Sequence, residues 1–171
     1  PAVLANMAAT LDITSGGRLE LGIGAGWHED ECRAYGIELG SVAERFERFA
    51  EGLAVIDTLL TNDHSDFDGR WFQLDAAPCN PKPIQRPLPI CIGGAGRRRT
   101  MPLVARYAHH WNYGSQTASV QDFTATREVL ARCCAEEGRD IADICVSAMV
   151  RGGDLDHLTD EIRAYEEAGA D

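Results

Sequence analysis

The sequence predicts an α/β protein built on a parallel sheet. Single strand-like runs alternate with amphipathic helical runs along most of the chain, and these strands are not joined by tight hairpin turns. Strands that are separated by helices pair in parallel, and the helices cover the sheet. This order is typical of either a doubly wound sheet or a (β/α) barrel, and the pattern alone leaves both open.

The first elements are a helix and a strand. Apolar residues recur at helical spacing from Val3 to Leu11, and Ser-Gly-Gly at 15–17 is a C-terminal stop signal. Polar and apolar residues then alternate over 18–23 and give way to the glycine loop 24–27. A helix followed by a strand, without a hairpin, favours the α/β class.

A long helix and an excursion come next. Ser41 can cap a helix whose apolar residues continue at steps of three and four to Leu60. Asp68-Gly69, between aromatic and apolar residues, is a hairpin turn signal, and a proline-rich connector follows it. We therefore expect an excursion at about 61–88, between this helix and the next strand.

The rest of the chain repeats the strand-helix pattern. The predicted elements are a strand at 89–92, a helix at 100–108, a strand at 109–113, a helix at 119–138, a strand at 144–150 and a helix that contains Leu158 and ends at Gly169. No linker, low-complexity tract or second core is visible. We expect residues 1–171 to form a single domain.

The charge of the chain disfavours two classes of partner. The chain has 16 Lys and Arg against 27 Asp and Glu, a formal net charge of −11. This balance gives no electrostatic attraction to nucleic acid or anionic membranes. No apolar run approaches the roughly 20 residues of a membrane helix, and the N-terminal stretch lacks signal-peptide features. We expect a cytoplasmic protein that binds neither.

No metal site is predicted. The six cysteines form no C-x-x-C pair, and the histidines show neither H-x-x-x-H nor H-E-x-x-H spacing. His28, among acidic residues after the glycine loop, is a candidate general acid or base, and a surface histidine is the plainer alternative. No Ser-His-Asp set stands out, so acyl transfer has no support.

The glycine run at 22–27 matches a dinucleotide fingerprint only in part. The sixth position of G-x-G-x-x-G is Trp27, and no helix start is predicted directly after it. A nicotinamide site is therefore not favoured. The plainer interpretation is that these glycines let the strand bend and turn.

A second glycine run predicts a phosphate site. Residues 93–100, Gly-Gly-Ala-Gly-Arg-Arg-Arg-Thr, lie between an apolar strand and a helix start. The backbone amides of such a loop, the helix dipole and the arginine and threonine side chains all favour an anion at one place. The Lys-Ser/Thr of a Walker loop is missing, so nucleotide hydrolysis is not implied. A solvated basic turn is the alternative.

Together these motifs resemble the luciferase-like monooxygenase superfamily, and in particular its deazaflavin-dependent oxidoreductases. The resemblance rests on residues 1–12, Ser-Gly-Gly-Arg-Leu-Glu-Leu-Gly-Ile-Gly-Ala-Gly-Trp at 15–27, Ile-Gly-Gly-Ala-Gly at 92–96 with Arg99-Thr100, and Ala-Arg-Tyr-Ala at 105–108 with Trp111-Asn112. It covers nearly the whole chain, and the joint pattern is far more specific than either glycine run alone.

The resemblance implies a (β/α)8 barrel of the TIM-barrel type that is incomplete in this chain. By similarity, residues 18–24, 89–93, 110–113 and 144–150 correspond to barrel strands four to seven. Strands one to three and eight would then lie outside the sequence, which opens on Pro1 and has 171 residues where a closed barrel typically uses roughly 250. We expect a fragment that is inactive alone.

The resemblance also implies phosphate contacts. They carry over to the backbone of Gly94, Ala95 and Gly96 and to the side chains of Arg99 and Thr100. These residues belong to the run from which a phosphate site is predicted independently. The same loop would therefore hold the phosphate-bearing tail of a coenzyme.

The loop after the fourth barrel strand faces the coenzyme ring in relatives. This places Gly24, Ala25 and Trp27 at the coenzyme, with Trp27 as a wall of the pocket and His28 as the candidate for proton transfer. Many flavin-dependent members carry Arg where Ala25 stands. The absence of an arginine at this position favours the deazaflavin coenzyme F420, with FMN as the alternative.

The function implied by the resemblance is that of a flavin- or deazaflavin-dependent oxidoreductase or monooxygenase. It would act on a small organic substrate by hydride transfer or oxygen insertion, and a homo-oligomer is compatible with it. The alternative is a non-catalytic half-barrel that serves as a phosphate-ligand binding or interaction module, because four parallel strands leave two edges unpaired.

Overall fold

The computed structural model describes residues 1–114, 119–150 and 154–171 and divides the chain into two compact units, residues 1–89 and 90–171. The division falls at the end of the proline-rich connector. The prediction of a single domain stays a prediction. Within the described residues, no helix combines the length and the apolar character needed to cross a membrane.

Unit 1 holds the predicted helix, strand, long helix and hairpin. Its elements are α1 (Ala2–Ser15), β1 (Leu21–Ile23), α2 (Glu29–Ala34), α3 (Val42–Thr61), β2 (His64–Asp68) and β3 (Gln73–Pro78). Strand β1 is shorter than the alternating run 18–23 that predicts it. Helix α2 is an addition, because the sequence pattern predicts no helix directly after the glycine loop.

Helix α3 supplies much of the buried core of unit 1. Ser41 Oγ accepts a hydrogen bond from the Glu44 amide at 3.3 Å, and the Glu44 carboxylate accepts one from the Ser41 amide at 3.0 Å. This reciprocal capping satisfies two amides that a helix N-terminus otherwise leaves unpaired. The buried residues of the helix are Phe49, Gly52, Leu53, Val55, Ile56, Leu59 and Leu60.

Helix α1 buries its small side chains rather than its large ones. Val3, Met7 and Leu11 are 74%, 62% and 53% exposed. The buried residues are Ala5, Ala8, Ala9 and Asp12. The apolar spacing that predicts the helix therefore does not mark its buried face in this structure.

The buried carboxylate of Asp12 ties helix α1 to the proline-rich connector. Its two oxygens accept hydrogen bonds from the Gln85 amide at 3.0 Å and from Gln85 Nε2 at 2.7 Å. Gln85 Nε2 also donates to the Leu19 carbonyl at 2.7 Å. Burial raises the pKa of Asp12, but the hydrogen bonds around the carboxylate, those from Gln85 first among them, together outweigh it, and the pKa lies below its ordinary value of 3.8.

Strands β2 and β3 form the predicted antiparallel hairpin, and Glu51 of α3 anchors its turn. The Glu51 carboxylate accepts hydrogen bonds from the amides of Arg70, Trp71 and Phe72 at 3.0, 2.8 and 3.2 Å. A single side chain thus satisfies three backbone donors of the turn. This explains how an irregular excursion is held against the long helix.

We expect Glu51→Gln to lower the free energy of unfolding by about 2 kcal/mol, because an amide NH2 would face backbone donors that now share a carboxylate. Urea unfolding monitored by circular dichroism measures the change. Glu47→Gln is the matched control, since Glu47 forms an exposed ion pair with Arg70 at 2.8 Å, worth about 0–1 kcal/mol. Equal effects of the two substitutions would contradict the anchoring role.

Unit 2 contains the repeating strand-helix part of the chain. Its elements are β4 (Ile90–Gly93), α4 (Thr100–Tyr107), β5 (His110–Tyr113), α5 (Val120–Glu136), a 3-10 turn (Ile141–Asp143), β6 (Cys145–Ala148) and α6 (Leu155–Glu167). Strands β4, β5 and β6 pair in parallel, which confirms the predicted sheet type. The short 3-10 turn is not predicted by the sequence pattern.

One face of the β4-β5-β6 sheet packs on the helices of unit 2. Ile92, Trp111 and Val146 share one register position across the three strands, and all three are buried. Trp111 stacks on Phe123 of α5 with ring centroids 5.6 Å apart, and Tyr165 of α6 meets the edge of Phe123 at 5.3 Å. An aromatic core therefore fixes α5 and α6 on this face.

Candidate functional site

The glycine run 93–100 connects strand β4 to helix α4, as predicted. Gly94 has a φ of 119°, a backbone conformation that favours glycine. Its amide donates to the Asn112 carbonyl at 3.0 Å, and its carbonyl accepts from Trp111 Nε1 at 2.8 Å. Both backbone groups of Gly94 are thus engaged with strand β5, and the predicted phosphate contact of Gly94 stays a prediction.

The next residues of the loop leave backbone donors available. The amides of Ala95 and Gly96 have no acceptor among the residues that the structure describes. The Gly96 carbonyl accepts from the Thr100 and Met101 amides at 2.8 and 3.2 Å, which starts helix α4. A Cβ on Gly96 would lie 2.6 Å from Thr100 Oγ1. Only a glycine fits at this position without displacing its neighbours.

The three consecutive arginines differ in their roles. Arg97 Nη2 forms an ion pair with Asp122 Oδ1 at 2.5 Å, and Arg97 Nε donates to Thr126 Oγ1 at 3.1 Å. Arg97 therefore holds the loop to the first turns of α5. Arg98 and Arg99 have exposed side chains that follow the glycines directly. They supply positive charge at the start of α4.

Asp122 also receives a hydrogen bond from the buried Tyr113. The Tyr113 hydroxyl donates to Asp122 Oδ2 at 2.8 Å, while Ser119 Oγ accepts from the Asp122 amide and caps α5. Burial and the Asp122 hydrogen bond raise the pKa of Tyr113 to about 12. Tyr113 therefore stays protonated as a donor at neutral pH. Sequence reasoning missed Asp122, for which the only signal was its place three residues after the Ser119 cap.

Thr100, the last residue of the run, is largely buried with 5% of its surface exposed. Its hydroxyl lies on the loop side of α4, next to Gly96, as the 2.6 Å approach of a Cβ there shows. The structure thus brings Ala95, Gly96 and Thr100 together at the start of α4. Their role as phosphate ligands, with Arg99, stays a prediction.

In unit 1, the glycine loop after β1 borders a cavity of about 310 Å³. Gly24, Ala25 and Gly26 lie along its wall, opposite apolar side chains of α3. Gly26 has a φ of 80°, and its carbonyl accepts from Arg45 Nη1 at 3.0 Å. Trp27 is 71% exposed and does not line this cavity. The predicted ring contacts of Gly24, Ala25 and Trp27 stay predictions.

His28 is the N-cap of helix α2. Its Nδ1 accepts a hydrogen bond from the Glu31 amide at 3.1 Å, and its ring lies 5.0 Å from that of Trp27. The expectation that no helix starts directly after the glycine loop is wrong, because this cap and the acidic residues 29–31 stabilise a helix too short to show a periodicity. The same acidic turn repels phosphate, so a dinucleotide site remains disfavoured here.

Comparison with known proteins gives these motifs a context. Residues 1–154 match the family model described as luciferase-like monooxygenase. The chain is 30% identical over its whole length to the pyrimidine monooxygenase RutA of Stutzerimonas stutzeri and covers 48% of that protein. An F420-dependent secondary alcohol dehydrogenase, solved with an F420-acetone adduct, superposes with a TM-score of 0.79 at 25% identity, over 96% of this chain and 50% of that one.

A second solved structure shows the same fold at lower identity. The coenzyme F420-dependent tetrahydromethanopterin reductase of Methanopyrus kandleri superposes with a TM-score of 0.75 at 21% identity, over 88% of this chain and 46% of that one. The α/β fold class of the (β/α)8 barrel type is thereby confirmed. The chain spans about half the length of these relatives.

Proposed function

The chain belongs to the luciferase-like monooxygenase family, and from this premise we propose that it binds a flavin-type coenzyme by its phosphate group at the 93–100 loop. The observation that carries the proposal is the pair of Ala95 and Gly96 amides, which have no acceptor within residues 1–114, 119–150 and 154–171, at the start of α4 and beside exposed arginines. Such a turn favours an anion through its N–H groups and the helix dipole.

The residues present fit a phosphate group. The backbone at Gly96 forms a cradle that a Cβ would fill, and the Thr100 hydroxyl lies beside it. Arg99 supplies charge to the same turn, and Arg97, engaged by Asp122, keeps the loop in place. Hydrogen bonds from amides and guanidinium groups to phosphate are of the strong, charge-assisted kind.

We propose that the whole protein is an oxidoreductase or monooxygenase that acts on a small organic substrate. The bound coenzyme would supply hydride transfer or oxygen chemistry, and the protein would bind it, orient it and exclude water. His28 would exchange a proton at Nε2, because its Nδ1 is engaged with the Glu31 amide. Gly24, Ala25 and Trp27 would face the coenzyme ring.

Between the two coenzymes, we favour the deazaflavin F420 over FMN. The small side chain of Ala25, where many flavin-dependent members carry Arg, supports this choice. So does the similarity to the F420-dependent alcohol dehydrogenase. The similarity to a pyrimidine monooxygenase keeps FMN, with oxygen insertion as the chemistry, as the alternative.

Titration of the chain with matched ligands tests the phosphate site. We expect FMN to bind at least about 10-fold more tightly than riboflavin, because a single charge-assisted hydrogen bond contributes about 1.5–3 kcal/mol. Coenzyme F420 should likewise bind more tightly than its phosphate-free chromophore. Quenching of the chromophore's fluorescence measures each affinity. Equal affinities within each pair would refute the phosphate site, and no binding of either coenzyme would refute the proposed function.

A second candidate function, an interaction module without catalysis, draws support from helix α1. Its exposed side chains Val3, Met7 and Leu11, with Leu19 and Leu21, border an apolar cavity of about 770 Å³. A large exposed apolar surface is typical of a protein contact, including one with a second copy of the chain. Adding inorganic phosphate as a competitor to these titrations separates the candidates, since a module without preference for the flavin ring would bind inorganic phosphate as tightly as FMN.

A further inference from the structure

The second face of the β4-β5-β6 sheet is polar. Gly93, Asn112 and Ser147 share one register position across the three strands, next to the buried position of Ile92 and Trp111. Because neighbouring residues of a strand point to opposite faces, these three lie on the face away from the aromatic core. Parallel strands that are covered on both sides are apolar throughout. The polar row therefore indicates a face that no apolar layer covers, which leaves it accessible to a polar ligand.

Hydrogen bonds fix the side chains of this row. Asn112 Nδ2 donates to Ser147 Oγ at 2.8 Å, and His110 Nε2 lies 2.7 Å from the same oxygen. The Ser147 hydroxyl is thus held from two sides, and it holds the Asn112 amide in one orientation. All three side chains are half-buried, so the geometry is shielded from competing water on one side.

The Asn112 amide has hydrogen-bonding capacity left over. A primary amide offers two N–H donors and a carbonyl acceptor, and Ser147 takes one donor. Among the described residues, nothing donates to Asn112 Oδ1. Gly93, one strand away, brings no side chain, and a Cβ there would meet only the backbone carbonyl of Asn112 at 3.9 Å. The Asn112 amide therefore offers an acceptor and a donor side by side, beside a strand position that carries no side chain.

We propose that Asn112, oriented by Ser147, binds the amide or imide edge of a heterocycle, in which an N–H and a carbonyl stand next to each other. The edge complements the free Oδ1 and the second Nδ2 hydrogen, forming two hydrogen bonds. The pyrimidine ring of a flavin or deazaflavin carries this edge, and so does a pyrimidine-type substrate. The inference rests on the proposed function, which it deepens by naming the chemistry that is recognised.

Side-chain NMR of the full chain identifies the contact and its source. The Asn112 amide resonance, assigned by its loss in Asn112→Asp, should shift when FMN, F420 or uracil is added. If the Asn112 resonance shifts with the coenzyme alone, Asn112 binds the coenzyme. If the shift requires uracil, Asn112 binds the substrate. In the uracil arm, 1,3-dimethyluracil, which lacks both ring N–H groups, should cause less than about a tenth of the shift at equal concentration.

Substitutions test the same contact by affinity. Asn112→Leu, which keeps the size but removes both polar groups, should weaken binding of the responding ligand about 10-fold. Ser147→Ala should weaken it less, and Ser147→Thr, which keeps the hydroxyl, should restore it. If the responder is FMN, the ratio of FMN to riboflavin affinity should stay unchanged in all three variants, because the phosphate loop is intact.

The outcomes separate this inference from the proposed function. An unshifted Asn112 resonance, or wild-type affinity in Asn112→Leu, overturns the inference even when FMN binds through its phosphate. If neither coenzyme binds, the proposed function fails, and the uracil arm decides the inference alone. In that arm, a shift with uracil that 1,3-dimethyluracil does not reproduce supports the inference, and the absence of such a shift overturns it.

Discussion

Replacement of Gly96 by alanine is expected to weaken FMN binding by about 100-fold. The new Cβ would lie 2.6 Å from Thr100 Oγ1, so the loop or the first turn of α4 must move. Movement misaligns the amides of Ala95 and Gly96, and each charge-assisted hydrogen bond contributes about 1.5–3 kcal/mol. Fluorescence titration with FMN measures the loss, and F420 should show a similar one.

Two controls give this prediction its specificity. Riboflavin affinity should change by less than about 3-fold in the same variant, because riboflavin has no phosphate to lose. Gly22→Ala should leave both affinities unchanged, since no atom lies within 4 Å of a Cβ at that position. A parallel loss of FMN and riboflavin affinity in Gly96→Ala would contradict a phosphate site at this loop.

Replacement of Asp12 by asparagine is expected to lower the free energy of unfolding by about 3 kcal/mol at neutral pH. Asparagine fits the space, but its NH2 would face one of the two Gln85 donors, which would be left buried without an acceptor. The native carboxylate is fully buried, so water cannot replace the lost acceptor. Urea unfolding monitored by circular dichroism measures the difference.

The effect should depend on pH in a defined direction. The pKa of Asp12 in the folded chain lies below its ordinary value of 3.8. Its carboxylate therefore contributes stability that is complete above that value and is lost as the pH falls through the lower, folded value. The difference in the free energy of unfolding between wild type and Asp12→Asn should be constant from about pH 6 to 5 and should become smaller below about pH 4.

Asp75→Asn is the control for the pH series, because Asp75 is an exposed residue of strand β3. It should leave the free energy of unfolding within about 0.5 kcal/mol of wild type. If the difference in the free energy of unfolding between wild type and Asp12→Asn grew as the pH fell, the Asp12 carboxylate would oppose folding. That result would contradict the stabilising role of its hydrogen bonds from Gln85.

Much of the fold could be predicted because it depends on local patterns. Ser41 with Glu44 starts α3, Asp68-Gly69 turns the hairpin, and the apolar run before Gly93 is a buried strand, each as expected from neighbouring residues. Helix α2 escaped prediction because six residues are too few for a periodicity. Its capping by a histidine side chain is also an uncommon signal.

The sequence predicted where the candidate site lies but not which of its groups are available to a ligand. A glycine run between a strand and a helix marks an anion site wherever it occurs. Its neighbours decide which groups are available: strand β5 engages the backbone of Gly94, and Asp122 engages Arg97. Asp122 lies 25 residues from Arg97 in the sequence, so no local pattern connects the two.

The sequence by itself determined the alternation of strands and helices, the parallel sheet and the family, because periodicity, caps and glycine motifs are properties of short segments. Only the tertiary structure decided which donors of the loop remain unengaged, that Asp12 is buried against Gln85, and that Asn112 and Ser147 share a face. These pairings join residues 17 to 73 positions apart. They form because packing brings distant segments of the chain within hydrogen-bond distance. The order of residues along the chain does not show which segments meet in this way.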